Sequence, residues 1–247
     1  MDTSNGVPMK ITPDCLVDAI VEFQVASDYK DEKVEEWILD SIKKNFPEAI
    51  FHKFPLIGPD KGKSVWADNV FRIYVGDKVI SINIVSNYPG WDNVTGFLKG
   101  ALQNLYENEQ KQQLVKFTRV RINYVSHFPN VSIFDVWDGT PIQLNNIPPF
   151  VGREFNFKFG IYHHVKNGEK GEFVADAEVH LSDNLPIPET STRYSRIDVG
   201  LQSRPCDGSF SDVFEQLQKL HFHEKEIFFK LLSKEFVDKL TPVWPKK

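Results

Sequence analysis

The sequence predicts an α+β fold, a mainly antiparallel sheet (two fused meanders are one form of it) with helices packed on one face and a helical pair at the C-terminus. Two observations predict it. Segments with period-2 alternation of apolar and polar residues recur along the chain, and most are joined by turn-length connections. Helical spacing of apolar residues is confined to a few stretches, so hairpins outnumber β-α-β crossovers, which disfavours a parallel sheet.

Taken in order, residues 1–12 are polar and contain Pro8, which suits a lead-in segment. Val17, Ala19, Val21, Phe23 and Val25 then alternate with Asp18, Glu22 and Gln24, the pattern of a half-buried strand. Asp28 to Asp31 supply cap residues for a helix over 31–45, whose Val34, Trp37, Ile38 and Ile42 share one face; Pro47 stops it. Ile50–Phe54 reads as a short strand. Val65–Val75 and Lys78–Val85 read as two strands joined at Gly76-Asp77, a turn pair that suits a hairpin. After Tyr88-Pro89-Gly90-Trp91, Asp92 or Asn93 caps a helix carrying Phe97, Leu98, Ala101, Leu102 and Leu105. Leu114–Val125 is a further strand.

Residues 129–152 are rich in Pro, Gly, Asn and Asp and mark a junction, dividing the chain into an N-terminal half (1–128) and a C-terminal half (153–247) that form one unit. Arg153–Val165 and Glu172–Leu181 form a hairpin around 167–171, Leu185–Thr192 is loop, and Tyr194–Leu201 is the last strand. Ser209 caps a helix with Val213, Phe214, Leu217 and Leu220, and a second helix carries Ile227, Phe228, Leu231 and Leu232. Ser233 caps a final turn with Phe236 and Leu240, ended by Pro242.

The composition bounds the function. A 41% apolar share with 20 Phe supplies a large core, so the two cysteines, Cys15 and Cys206, are read as thiols in a reducing cytoplasm. The net charge of −5 gives no overall footprint for nucleic acid, and no apolar run reaches membrane-spanning length. The first residues have neither the basic nor the apolar region of a secretory signal.

Four segments carry a resemblance. They are Pro13-Asp14-Cys15-Leu16-Val17-Asp18-Ala19-Ile20-Val21-Glu22-Phe23, Tyr88-Pro89-Gly90-Trp91, Arg119-Val120-Arg121-Ile122-Asn123-Tyr124, and His223-Glu224 followed by Ile227-Phe228-Phe229-Lys230-Leu231-Leu232. In this order the chain resembles, over nearly its whole length, a sporadically distributed prokaryotic family with no assigned activity. The family pattern has a proline-apolar pair at the first strand, where this chain has Asp14-Cys15. The resemblance implies no catalytic residue. Its patchy distribution is similar to that of defence or conflict genes.

Several constellations bear on chemistry. Tyr88, Pro89 and Trp91 suit either an aromatic platform for a peptide or base, or a turn with Trp91 stapling the helix start to the core. Arg119, Arg121 and Asn123 share a strand face with Phe117 and Val125, opposite Val120, Ile122 and Tyr124. That face could grip a phosphate or carboxylate, or pair with nearby carboxylates. His163-His164 and His180 fall out of register across their hairpin, and His221 with Glu224 is a single (i, i+3) pair. Neither supplies the ligand count of a metal site, so no metal and no cofactor are expected. The chain has no Gly-x-Ser-x-Gly elbow, and Gly58-Pro59-Asp60-Lys61-Gly62-Lys63 lacks phosphate-loop spacing.

The reading is therefore a non-enzymatic binding protein with a protein partner, placed in a bacterial defence or toxin-immunity system by the resemblance alone. Its candidate binding residues are Tyr88, Trp91, Arg119, Arg121 and Asn123. Two alternatives stay open: a nucleotide or nucleic-acid sensor, and a hydrolase or nuclease whose site assembles from distant segments.

Overall fold

Alternation in the strands sets which residues meet, and the sheet follows from it. In the computed structural model the described residues are 8, 11, 14–53, 64–76, 78–84, 88–107, 115–136, 154–162, 172–186, 192–206 and 209–244. They form β1 (Leu16–Ala26), α1 (Asp31–Asn45), β2 (His52–Lys53), β3 (Ser64–Ala67), β4 (Phe71–Gly76), β5 (Val79–Ile84) and α2 (Trp91–Tyr106). There follow β6 (Lys116–Pro129), α3 (Ile133–Val136), β7 (Glu154–Tyr162), β8 (Phe173–Pro186), β9 (Arg193–Ser203), α4 (Phe210–Leu231) and α5 (Lys234–Lys239). The nine strands form one mainly antiparallel sheet in the order β2-β3-β4-β5-β1-β6-β9-β8-β7. The fold is α+β.

The chain divides into two compact units. The N-terminal unit comprises Asp18–Ile122 with Gln202–Gln218; the C-terminal unit comprises Met1–Val17, Asn123–Leu201 and Lys219–Lys247.

In the N-terminal unit Ala19, Val21, Phe23 and Val25 of β1 are buried, and so are Ile73, Val75, Ile80, Ile82 and Ile84 of β4 and β5. Register makes this one face, since Val21 lies opposite Ile82 and Ile82 opposite Ile73. The helices pack on that face. Phe97 of α2 stacks on Phe71 of β4 with ring centroids 3.9 Å apart, and Phe46 and Trp66 complete the aromatic cluster. Phe214 of α4 stacks on Phe23, which Phe117 meets edge-on at 5.9 Å. Each fully buried Ile, Leu or Phe contributes about 1.5–3 kcal/mol relative to exposure.

In the C-terminal unit the core joins Phe128, Val179, Leu181, Ile197 and Val199 of the strands to Ile133 and Val136 of α3 and to Phe228, Leu231, Phe236 and Val237 of the last two helices. Ser233 caps α5 by accepting from the Phe236 N–H, and its own N–H donates to the Val136 carbonyl at 2.6 Å. Those bonds satisfy groups that a helix end would leave open.

The structure departs from the sequence reading at several places. The expected strand 65–75 is a hairpin, because the Asp68 carboxylate accepts from the N–H groups of Val70 and Phe71 and turns the chain. Gly76, expected in the turn, is still paired in the sheet, to Val79, and Lys78 stands at φ 59°. Trp91 begins α2 behind Gly90, whose φ of 90° suits glycine; Asn93 lies inside the first turn and donates to the Pro89 carbonyl. Lys30 precedes α1 without a side-chain cap. The two helices expected over 209–232 are one 22-residue helix, α4, with no Gly or Pro to interrupt it. β8 runs on to Pro186, into the expected loop.

Residues 137–152, His163-His164, Gly58–Lys63 and the turn at 167–171 lie outside the described residues. No described helix is long and apolar enough to cross a membrane.

Candidate functional site

Strand alternation that buries one face turns the other face outward. In the N-terminal unit that second face is built row by row from register. Tyr74 of β4 lies opposite Ser81 of β5, and Ser81 opposite Glu22 of β1. In the next row Arg72 lies opposite Asn83 and Asn83 opposite Ile20. These side chains are half-buried or exposed.

They bond to one another. An Arg72 Nη1–H donates to the Tyr74 hydroxyl at 3.2 Å, and Ser81 Oγ donates to Asn83 Oδ1 at 2.9 Å. Arg121 of β6, with 44% of its side chain exposed, stands 3.7 Å from the Glu22 carboxylate. The face thus presents hydroxyl, amide, guanidinium and carboxylate groups in a mosaic of mixed sign.

The structure separates Trp91 from Arg121, two of the residues singled out in the sequence. Within the N-terminal unit Arg121 is on the polar face, whereas Trp91 is on the helical side, where its indole N–H donates to Gln218 Oε1 of α4 at 2.7 Å. Tyr88 and Trp91 are both half-buried. Arg119 is half-buried two positions before Arg121. Asn123 is half-buried and belongs to the C-terminal unit. Phe117 is not on the arginine face: it is buried with Phe23 and Phe210, and so is Val120 three residues later, so the alternation slips between them. Trp91 and Arg121 therefore stand on opposite sides of the sheet and do not share one site.

Residues missed in the sequence reading are Glu22, Arg72, Tyr74, Ser81 and Asn83. Their signal is the polar positions that interleave Val21 and Phe23, Ile73 and Val75, and Ile80, Ile82 and Ile84.

The C-terminal unit has a polar face of its own. Arg196 makes a two-pronged contact with Asp198, Nε–H to Oδ1 at 2.7 Å and Nη2–H to Oδ2 at 2.6 Å. His127 stacks on Tyr194 with centroids 4.3 Å apart. Burial, helped by the Arg196 cation, holds that imidazole below its ordinary pKa. The Glu178 carboxylate meets Lys158, His180 and Asn156 at 3.0–3.1 Å, and the hydrogen bonds from Lys158 and Asn156 lower its pKa.

The same unit contains a buried polar cluster. Tyr124 of β6 and His221 of α4 are joined by a hydrogen bond of 3.0 Å between hydroxyl and Nδ1. Glu224 lies one turn further along α4 and is 3% exposed. Cys15 is buried, with Ser126 hydrogen-bonded to its thiol and Glu224 close enough to act on it. Burial governs all three titratable groups. It pushes the Cys15 thiol up to about 12 and the Glu224 carboxyl up to about 8, and it lowers His221 to about 3. At neutral pH the thiol, imidazole and carboxyl are therefore all uncharged. A Cys–His nucleophile needs a thiolate beside an imidazolium, and burial favours the opposite state of each partner.

Among the described residues no group of three or more His, Cys, Asp or Glu side chains is placed to hold a metal ion. Compared with known proteins, the chain matches no family model and no curated protein sequence.

Proposed function

We propose that this chain is a non-enzymatic binding protein whose N-terminal unit engages a protein partner through its polar sheet face. The carrying observation is the pairing of Arg121 with Glu22 beside the Arg72–Tyr74 and Ser81–Asn83 bonds. Phosphate recognition relies on arginine forks and lysines offered to the ligand and produces steeply salt-dependent binding. Here the Arg121 cation stands opposite a carboxylate, and the chain is acidic overall. Mixed-sign polar groups around apolar positions such as Ile20 match the make-up of a transient protein interface.

The resemblance noted in the sequence supports a partner drawn from a bacterial defence or toxin-immunity system, with the cytoplasm as the compartment. The test is capture from a native host by the tagged full chain, with a parallel salt titration against single- and double-stranded nucleic acid. Stoichiometric protein with no salt-sensitive mobility shift supports the reading. A shift that weakens steeply with salt and disappears in Arg121→Ala supports a nucleic-acid sensor instead.

A further inference from the structure

We propose that β7 is a homotypic docking edge, through which two copies of this chain pair antiparallel and continue the sheet. Among the described residues β7 is the last strand of the order, nine residues long, with no described strand on its outer side. It pairs in regular register with β8 from Glu154 to Ile161, and the irregularity comes only at Tyr162. Such an edge is a template for another strand. The strand at the opposite end of the order, β2, is two residues long, which is one way an edge is kept from pairing. β7 carries no proline and exposes Phe159 and Tyr162.

The occupant is argued from charge. In antiparallel pairing directly opposite residues share a face, so a two-fold axis normal to the sheet must pass midway between one residue and the same residue of the second copy, and each register is named by that residue. An axis through Lys158 sets lysine against lysine. One through Phe157 sets Asn156 against Lys158 and Glu154 against Gly160. One through Asn156 sets Glu154 opposite Lys158 of the second copy, and Lys158 opposite its Glu154. Opposite charges directly across from one another are a favourable cross-strand combination, and like charges an unfavourable one. Glu154 is exposed, and the Lys158 side chain is 70% exposed, 3.0 Å from Glu178 on its own chain. Its long flexible stem can serve both carboxylates.

The test uses the full chain in sedimentation velocity over roughly a hundred-fold dilution, where mass action shifts a real dimer towards monomer. The wild type is expected to reach dimer at the concentrated end. Glu154→Lys, which places lysine against lysine, is expected to stay monomeric, and so is Lys158→Glu, which places glutamate against glutamate. An equimolar mixture of the two variants restores both opposite-charge pairs and is expected to form a heterodimer. Thermal melts verify that each variant folds; among the described residues Glu154→Lys breaks no ion pair, whereas Lys158→Glu loses the one to Glu178. A wild type that is monomeric throughout overturns the proposal. So does a dimer that Glu154→Lys leaves intact, or a mixture that stays monomeric while both variants are folded.

Discussion

Replacing Glu224 by glutamine probes the buried cluster of the C-terminal unit. Burial raises the Glu224 carboxyl to about 8 from an ordinary 4.5, against a smaller opposing effect of the Lys225 ammonium. In the unfolded chain the group ionises near its ordinary value; in the folded chain it stays protonated until mildly alkaline pH. The folded state therefore binds the extra proton, and stability falls as pH rises from about 4.5 to about 8. Each tenfold difference in proton affinity between the two states is worth about 1.4 kcal/mol, so the loss amounts to about 3 kcal/mol at pH 7 and about 5 kcal/mol above pH 9. Glutamine keeps the shape and does not titrate. Its amide adds a constant offset, so the readout is the pH dependence of the difference between the two proteins. Near pH 4 that offset is all that remains, and by pH 7 the variant gains about 6–12 °C in Tm relative to it. Thermal melts of both proteins from pH 4 to 9 measure this. Parallel curves across the range would refute the reasoning.

Other perturbations follow from the same geometry. His221 is held neutral by burial, its pKa lowered to about 3, so its contribution is complete above its ordinary 6.5 and is lost as pH falls through that interval; His221→Phe should flatten the acid limb of the stability curve. Trp91→Phe should cost about 1 kcal/mol through the lost bond to Gln218, and Trp91→Ala about 2 kcal/mol, less than a fully buried tryptophan, both measured by denaturant unfolding. Arg121→Ala should change stability by less than about 1 kcal/mol, because its pair with Glu22 is partly solvated; a larger loss would show a tighter network. Cys15, buried with its thiol raised to about 12, should react with a maleimide far more slowly than the half-buried Cys206 under native conditions, and mass spectrometry after a short pulse would show the order.

The sheet was legible because alternation is a local property. Val17, Ala19, Val21, Phe23 and Val25 announce β1, and the observed strand runs one residue further at each end, although Val17 itself is exposed rather than buried. Helices with an uninterrupted apolar face were equally plain, and α1 has the bounds the spacing gives. What failed was punctuation. The Asx turn at Asp68 depends on one carboxylate reaching two N–H groups, and a run of apolar and aromatic residues on both sides hides it. The unbroken α4 spans two apolar clusters that spacing alone could divide or join.

The candidate site was half legible. Arg121 stood out because it is charged within a strand, but its partner Glu22 lies far off in sequence and meets it through the adjacency of β1 and β6. Tyr88 and Trp91 drew attention as aromatics at a turn, yet the indole is committed to Gln218, over a hundred residues away. The buried cluster needs Cys15, Tyr124, Ser126 and Glu224 brought together from three distant segments. No local pattern encodes that. Sequence gives the face on which each residue stands, and the tertiary pairing decides whether its chemistry is spent within the fold or offered outside it.

The most direct test compares capture by the wild-type full chain with capture by a variant carrying Arg72→Glu and Glu22→Lys, with bound proteins, nucleotides and nucleic acid all identified. The account predicts one stoichiometric protein partner on the wild type and at least a ten-fold loss on the folded variant, about 1.4 kcal/mol. Equal recovery on both proteins, or a nucleotide or nucleic acid as the retained species, would contradict it.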